Sequence, residues 1–499
     1  MSIKKNIIAN YFGQFYVTLI GIFLVPLYLK YMGAEAYGLV GFYATLQAWF
    51  FMLDMGLTPT MARDCSRFLG GVVDATNLRR LLRALEGIFL LVAIVGVVAI
   101  VAGSSAIAAH WLKVNELPMY EVTNSIVIIA FIVSLRWMGG LYRGAINGFE
   151  RIVWLNIFNI VIATLRFVLI IPILAYIDAA ATTFFLYQLV VTTIETIVLV
   201  LKTYRLLPPA SVSTITGDWK QLRASLKFSS SIAFAGLVWV TVTQTDKLLL
   251  SGLIPLADYA YYTIAVLAAS GIMVISKPVS GALLPRMTVL NAEGNQVQLL
   301  KLYENATQIV AVIAVPSAVV LALFSDQVLL AWIGDAEIAH KAAPVLLLYA
   351  FGNGVMVLAA FPYYLQYAKG DLKLHFIGNA LFVSLFVPSI YYSVTEYGVL
   401  GAGYAWLVSN AMLFLFLLPI VHRKFAKGLH LKWLAHDIGV IAVPPLIFAL
   451  IAKELVEWPA DRVALALYIC LLFAVALALA AISSAKMRAL MRVVYTKKR

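Results

Sequence analysis

The chain has 499 residues, of which 63% are hydrophobic and only 12% charged, and its mean hydropathy is +0.93. That composition excludes a water-soluble fold, which needs far more polar surface, and the net charge of +13 sits at the ends of apolar runs, where it meets anionic headgroups and not nucleic acid. No GxxxxGK[ST] phosphate loop is present, the six histidines show no HxxxH spacing, and Cys65 and Cys470 lie in segments too far apart to suggest a disulfide, so neither direct ATP hydrolysis nor a metal or redox centre is expected.

Apolar stretches of about 20 residues, the length that crosses roughly 30 Å of hydrocarbon as a helix, recur from end to end. Fourteen are expected to span the membrane: 7–29, 38–58, 84–109, 122–142, 153–176, 181–201, 228–251, 260–284, 304–325, 342–366, 373–394, 398–420, 436–452 and 462–484. The first is too long for a signal peptide and lacks a small-residue cleavage site, so it is expected to be retained. The fold class is therefore an all-α polytopic membrane protein. Its lobes are expected at 1–201 and 228–420, joined by a basic linker at 202–227 and followed by two further spans and a basic tail at 421–499.

Most of the 37 Lys and Arg residues fall on one face when the N-terminus is placed inside, while Lys30, Lys113, Lys341, Lys453 and Arg462 are the ones outside. The positive-inside rule then puts both termini in the cytoplasm. Two basic segments have an amphipathic pattern and are expected to lie along the interface: Trp219, Leu222 and Leu226 against Lys220, Arg223 and Lys227, and Met487, Leu490, Met491 and Val494 against Arg488 and Arg492.

Sliding the chain against itself by 222 residues superposes Phe12 on Phe234, Tyr37 on Tyr259, Tyr142 on Tyr364, Gly148 on Gly370 and Arg151 on Lys373. The expected spans move with them. Six helices per repeat give two lobes of the same orientation, pseudo-symmetric about the membrane normal, with two helices appended.

Intramembrane polar groups are the candidates for function. In the fifth span Asn156, Asn159, Ala163 and Arg166 follow i, i+3, i+7 and i+10 spacing and share a helix face, as do Asn10, Gln14, Thr18 and Gly21 in the first. Arg166 and Lys277 are the expected cations for an anionic substrate, and Asn10, Gln14, Asn156 and Asn159 the expected partners for hydroxyl groups. A static ion pair between Arg166 and Glu195 is the competing reading. Arg136 lies near a span end and is expected to be structural. Asp246, Lys247 and Glu195 are the candidates for coupling to protons or another ion, and no cofactor is expected.

Asn10, Gln14, Pro26 and Gly33 followed by Tyr37-Gly38, then Gly56-Leu57 ahead of Arg63, and Gln244-x-Asp246-Lys247 leading to Tyr261-Tyr262, resemble the Wzx-type flippases for lipid-linked oligosaccharides. These belong to the multidrug, oligosaccharidyl-lipid and polysaccharide export superfamily. The resemblance implies a non-enzymatic flippase of the bacterial inner membrane. It would move undecaprenyl-pyrophosphate-linked repeat units, such as those of O-antigen, to the periplasmic leaflet by alternating access. Anionic lipids, a glycan polymerase and chain-length machinery are the implied partners. Three alternatives stay open. A peptidoglycan-precursor (lipid II) flippase would be expected to carry more arginines in the first two spans, a cation-coupled drug exporter would need an acidic cavity, and a membrane glycan polymerase or glycosyltransferase would need longer outer loops than this chain has.

Overall fold

The computed structural model describes residues 3–209 and 237–497, apart from the side chains of 3–11, 275–278, 280–282, 491 and 493–497. The expected interfacial helix around Trp219 and most of the basic linker lie outside the described residues. The chain divides into two compact units, Met1–Ala260 and Tyr261–Arg499. Among the described residues eleven helices are long and apolar enough to cross a membrane, or twelve if the bent pair Phe12–Phe23 and Val25–Met52 forms one span. The expected span at 228–251 begins among residues that are not described, which accounts for part of the difference from fourteen.

In the first unit α1 (Ile3–Phe23) leads into α2 (Val25–Met52), which Gly33 breaks at φ +82, inside the loop expected at 30–37. Then follow α3 (Leu57–Leu69), α4 (Ala75–Ala106, extended by a π-turn over Ile107–Trp111), α5 (Met119–Gly148), α6 (Ile152–Ala163), a π-turn over Thr164–Val168, α7 (Ile170–Tyr176), α8 (Ala181–Leu206) and α9 (237–253). On α4, Leu78, Leu81, Leu82, Leu85 and Phe89 recur at helical spacing and are buried, and Phe89 stacks on Trp137 of α5 with ring centroids 4.2 Å apart. The remainder of that helix, from Leu90 through Val98, presents exposed Leu, Ile and Val to the acyl chains.

Helix α5 is the post of this unit. Gly144 and Gly148 let α3 lie directly on it: a Cβ on Gly148 would collide with the Ala62 carbonyl oxygen, and one on Gly144 would come within 2.7 Å of the Thr58 methyl. Small residues four apart bring helix backbones together where lipid supplies no hydrophobic drive. Two buried glutamates anchor the ends of α5 and α8. Glu35 accepts from the backbone N–H groups of Asn115, Glu116 and Leu117 at 2.6–2.7 Å, and Glu121 accepts from that of Ala181 at 2.7 Å. Residues after α9 stay with this unit, since the Leu256 N–H donates to the Lys113 carbonyl at 2.9 Å and Trp111 Nε1 donates to Ser251 Oγ at 2.9 Å. Gly38 is part of the same contact, as a Cβ there would collide with the Leu256 carbonyl oxygen.

The second unit takes over within α10 (Leu256–Ala292) and continues with α11 (Gln296–Leu323), α12 (Ser325–Ile333), α13 (Ala336–Lys369), α14 (Lys373–Tyr397), α15 (Val399–Met412) and α16 (Leu418–Phe425). It ends with α17 (Leu429–Lys432), α18 (Val440–Leu455), α19 (Arg462–Ser483) and α20 (Ala485–Lys497), the last of which covers the tail segment expected to be amphipathic. Asn353 of α13 donates to the Ala269 carbonyl at 2.9 Å and accepts from Trp406 Nε1 at 3.0 Å. The appended helices dock on α11: Trp433 Nε1 donates to Thr307 at 3.0 Å, and Gln308 bonds Asp437 at 2.7 Å and Ser484 at 2.9 Å. The repeat pairs Tyr142, Gly148, Arg151 and Tyr364, Gly370, Lys373 fall at equivalent joints, between α5 and α6 in one unit and between α13 and α14 in the other.

Two outcomes test this packing. Gly148→Ala should cost about 1–3 kcal/mol of stability, the usual penalty of overpacking, read as a lower melting midpoint in detergent. Cys65, fully buried on α3, has its thiol pushed up to about 12 by burial and by the adjacent Asp64. The folded protein should therefore leave Cys65 unmodified by a water-soluble maleimide at neutral pH, and denaturation should expose it.

Candidate functional site

Three arginines and one glutamate meet inside the first unit. Arg136 and Arg143 lie seven residues apart on one face of α5, Arg166 sits in the π-turn after α6, and Glu195 faces them from α8. Glu195, 4% exposed, gives one oxygen to each of two guanidiniums: Oε2 accepts from Arg166 Nη2 at 2.5 Å and Oε1 accepts from Arg143 Nη2. Arg143 Nη1 also donates to Asn159 Oδ1, and Arg166 Nη2 reaches Thr192 Oγ1 at 3.3 Å. Arg136 donates from Nη1 to the Tyr43 hydroxyl at 2.8 Å and to Gln47 Oε1 at 2.6 Å. Among the described residues no second carboxylate bonds any of the three guanidiniums. The cluster therefore carries two positive charges beyond what Glu195 balances.

Pro172 of α7 explains why Arg166 is presented by a π-turn. A proline inside a helix has no N–H and crowds the carbonyl four residues back, here Val168, so the regular ladder cannot run through. The wider turn leaves carbonyls that other helices satisfy: Tyr187 donates to Leu165 at 2.6 Å, Gln188 to Arg166 at 3.0 Å and Tyr28 to Phe167 at 2.6 Å. Tyr16 of α1 adds a bond to the Thr164 hydroxyl at 2.6 Å. Even so, Arg166 Nε and Gln188 Oε1 are buried and have no hydrogen-bond partner among the described residues. Arg143, with 30% of its side chain exposed, is the accessible member of the pair, and Arg166, at 7%, the covered one.

The sequence candidates separate on the structure. Asn159 and Arg166 enter one network through Arg143 and Glu195, whereas Asn156 is turned to its own helix, donating to the Ile152 carbonyl at 3.0 Å beside Gly13 of α1. The π-turn between Ala163 and Arg166 shifts the phase of the expected stripe. Gln14 is exposed on α1. The side chains of Asn10 and Lys277 lie outside the described residues. On α9, Asp246 is 1% exposed, and Lys247 Nζ donates to the Thr243 carbonyl at 2.5 Å and lies 3.5 Å from Asp246 Oδ1. Arg143 is the residue that sequence reasoning missed. It was expected just beyond a span ending at residue 142, but α5 runs to Gly148, and its spacing of seven from Arg136 was the signal for a shared face.

The fold is that of the lipid II flippase MurJ in its inward closed conformation, at a TM-score of 0.74 and 15% identity, covering 97% of this chain and 99% of that one. An inward-facing multidrug resistance transporter of the MATE family, in the MOP superfamily, matches at 0.60 and 14% identity, over 82% of this chain and 96% of that one. These likenesses define the fold class, a multi-pass helical membrane fold of the kind seen in MurJ and the MATE structures. The family follows from the sequence: a profile described as polysaccharide biosynthesis protein matches residues 3–291, and the chain belongs to that family. A protein of Shigella flexneri named as an O-antigen transporter is 19% identical over 410 residues, which is 82% of this chain and 95% of that protein.

The charge balance gives an ordered prediction. Glu195→Gln leaves two neighbouring guanidiniums unpaired and should cost about 3–5 kcal/mol, whereas Arg166→Gln leaves Glu195 paired with Arg143 and should cost clearly less. Melting midpoints of the two variants in the same detergent check the order, and equal midpoints would show that Glu195 is not the shared counter-ion.

Proposed function

We propose that this protein is a flippase that moves an undecaprenyl-pyrophosphate-linked oligosaccharide repeat unit from the cytoplasmic to the periplasmic leaflet of the bacterial inner membrane by alternating access, with both termini in the cytoplasm. The observation that carries the reading is the surplus of fixed positive charge around Glu195. A pyrophosphate crossing hydrocarbon loses its hydration, and guanidiniums held ready in the protein offset that loss with charge-assisted bonds of about 1.5–3 kcal/mol each. Glu195 pairs Arg143 and Arg166 while no substrate is present, and a phosphate oxygen that replaces one of its bonds adds negative charge to a cluster that is still net positive. In this reading Arg143 meets the substrate first and Arg166 stands behind it. Asn159, Asn156, Asn10 and Gln14 serve the sugar hydroxyls, Lys277 supplies a further cation, and ion coupling belongs to Asp246 and Lys247. A glycan polymerase and its chain-length partners would act on the product.

A second reading, a peptidoglycan-precursor flippase, is favoured by the whole-length likeness of fold. It predicts rescue of a strain depleted of its lipid II flippase. The first reading predicts no rescue there and, in a strain lacking this protein, lipid-linked repeat units held on the cytoplasmic leaflet. Units found outside but unpolymerised would overturn it. At matched expression, Arg143→Ala and Arg166→Ala should each lower surface glycan by about tenfold or more, the equivalent of one lost charge-assisted bond. Unchanged glycan in both would remove the cluster from transport.

A further inference from the structure

We propose that a cavity between α4 and α8, distinct from the Glu195 cluster, binds the phosphate headgroup of an anionic phospholipid. The cavity, about 490 Å³, is walled by Arg83, Glu86, Gly87, Tyr142 and Tyr204 and floored by Leu90, Met138 and Val200. It shares no residue with the cluster around Glu195, and the inference does not depend on what the protein transports.

Its position follows from the outer face of α4. Arg80 and Arg83 are exposed, then Gly87, then Leu90 at 49% and Leu91 at 62%, and the face continues as Ile94 and Val95. On a membrane-spanning helix, a change from arginine to exposed leucine within two turns marks the boundary between headgroups and acyl chains. The outer face of α8 agrees, since Ile197 and Leu201 beside the cavity are each 53% exposed. The cavity lies on that boundary.

Its chemistry is fixed by Glu86. Oε1 accepts from the Tyr142 hydroxyl at 3.0 Å and the Tyr204 hydroxyl at 2.8 Å, and Oε2 accepts from Arg83 Nη1 at 3.1 Å. Both carboxylate oxygens are thus occupied, and the guanidinium of Arg83 is held over the Tyr204 ring at 5.3 Å. Only Nη1 of Arg83 is bonded among the described residues, and the side chain is 54% exposed, so its remaining N–H groups are open to an acceptor from outside the protein. Phosphate matches that fork. Arg79 and Arg80, one turn back on α4, leave the end of the helix net positive despite Glu86, which favours an anionic headgroup over a zwitterionic one. Gly87 completes the shape. A Cβ there would meet no atom within 4 Å, so the packing does not require glycine, and its bareness leaves a notch through which a glycerol backbone passes from Arg83 to the apolar floor.

The test is native mass spectrometry of the full chain in mild detergent, with phosphatidylglycerol and phosphatidylcholine supplied at equal concentration. Wild-type protein should retain phosphatidylglycerol preferentially. Arg83→Gln should reduce that retention several-fold without changing phosphatidylcholine. Gly87→Leu, which fills the notch at an open position and leaves the Glu86 bonds in place, should do the same with an unchanged melting midpoint. Equal phosphatidylglycerol retention in wild type and both variants overturns the proposal, and so does parallel loss of both lipids. Displacement of phosphatidylglycerol by undecaprenyl phosphate at stoichiometric concentration, abolished by Arg83→Gln, would also overturn it by assigning the cavity to a polyprenyl phosphate.

Discussion

A guanidinium cannot shed its charge inside a membrane, so a helix bundle that buries several of them must arrange itself around whatever anion it owns. In the first unit that anion is the carboxylate of Glu195, bonded to Arg166 on one oxygen and Arg143 on the other. The rest of the neighbourhood answers to this requirement. Arg136 is left to neutral partners, Tyr43 and Gln47, because the carboxylate is already shared. The segment bearing Arg166 departs from α-helical geometry and is held by side chains from α1, α2 and α8, which spread the cost of an irregular backbone at depth over three neighbouring helices.

Such an arrangement needs a stiff frame. The close approach of α3 to α5 at Gly144 and Gly148 fixes the height of Arg143 on its helix, while Glu35 holds the loop that leads into α5 and Glu121 of α5 holds the first N–H of α8. Each of these glutamates spends its charge on N–H groups that would otherwise be unpaired, and so contributes rigidity without adding a free charge. The polar groups discussed in this unit thus fall into three kinds: anchors at the helix ends, a net positive site at depth, and the Arg83 and Glu86 network at the basic end of α4.

The membrane architecture was legible because hydrocarbon imposes one rule on every span, and an apolar run of about twenty residues between basic loops fits little besides a spanning helix. Arg166 and Glu195 were legible as a candidate pair for the same reason, since each is conspicuous in an apolar segment. Arg143 was not. Helices such as α5, at 30 residues, outrun the hydrocarbon, and hydropathy alone ends the span before the helix ends. The stripe through Asn156, Asn159 and Arg166 assumed a constant turn, and Pro172, whose effect falls on the residues before it, changed that turn. The glycines quoted for the family resemblance have physical reasons visible only in three dimensions: Gly33 takes a positive φ, and Gly38 passes close to the backbone of Leu256.

The π-turn has a kinetic meaning as well as a geometric one. One extra residue in a helix is a dislocation, and a dislocation can migrate: if the wide turn moved along the chain by a single residue, the side chain crossing it would rotate about 100° around the helix axis. Arg166 sits inside that turn, and the carbonyls on either side are held by hydroxyl and amide groups that can exchange partners one at a time. A slip of that kind would turn the Arg166 side chain to a second azimuth without unwinding the span.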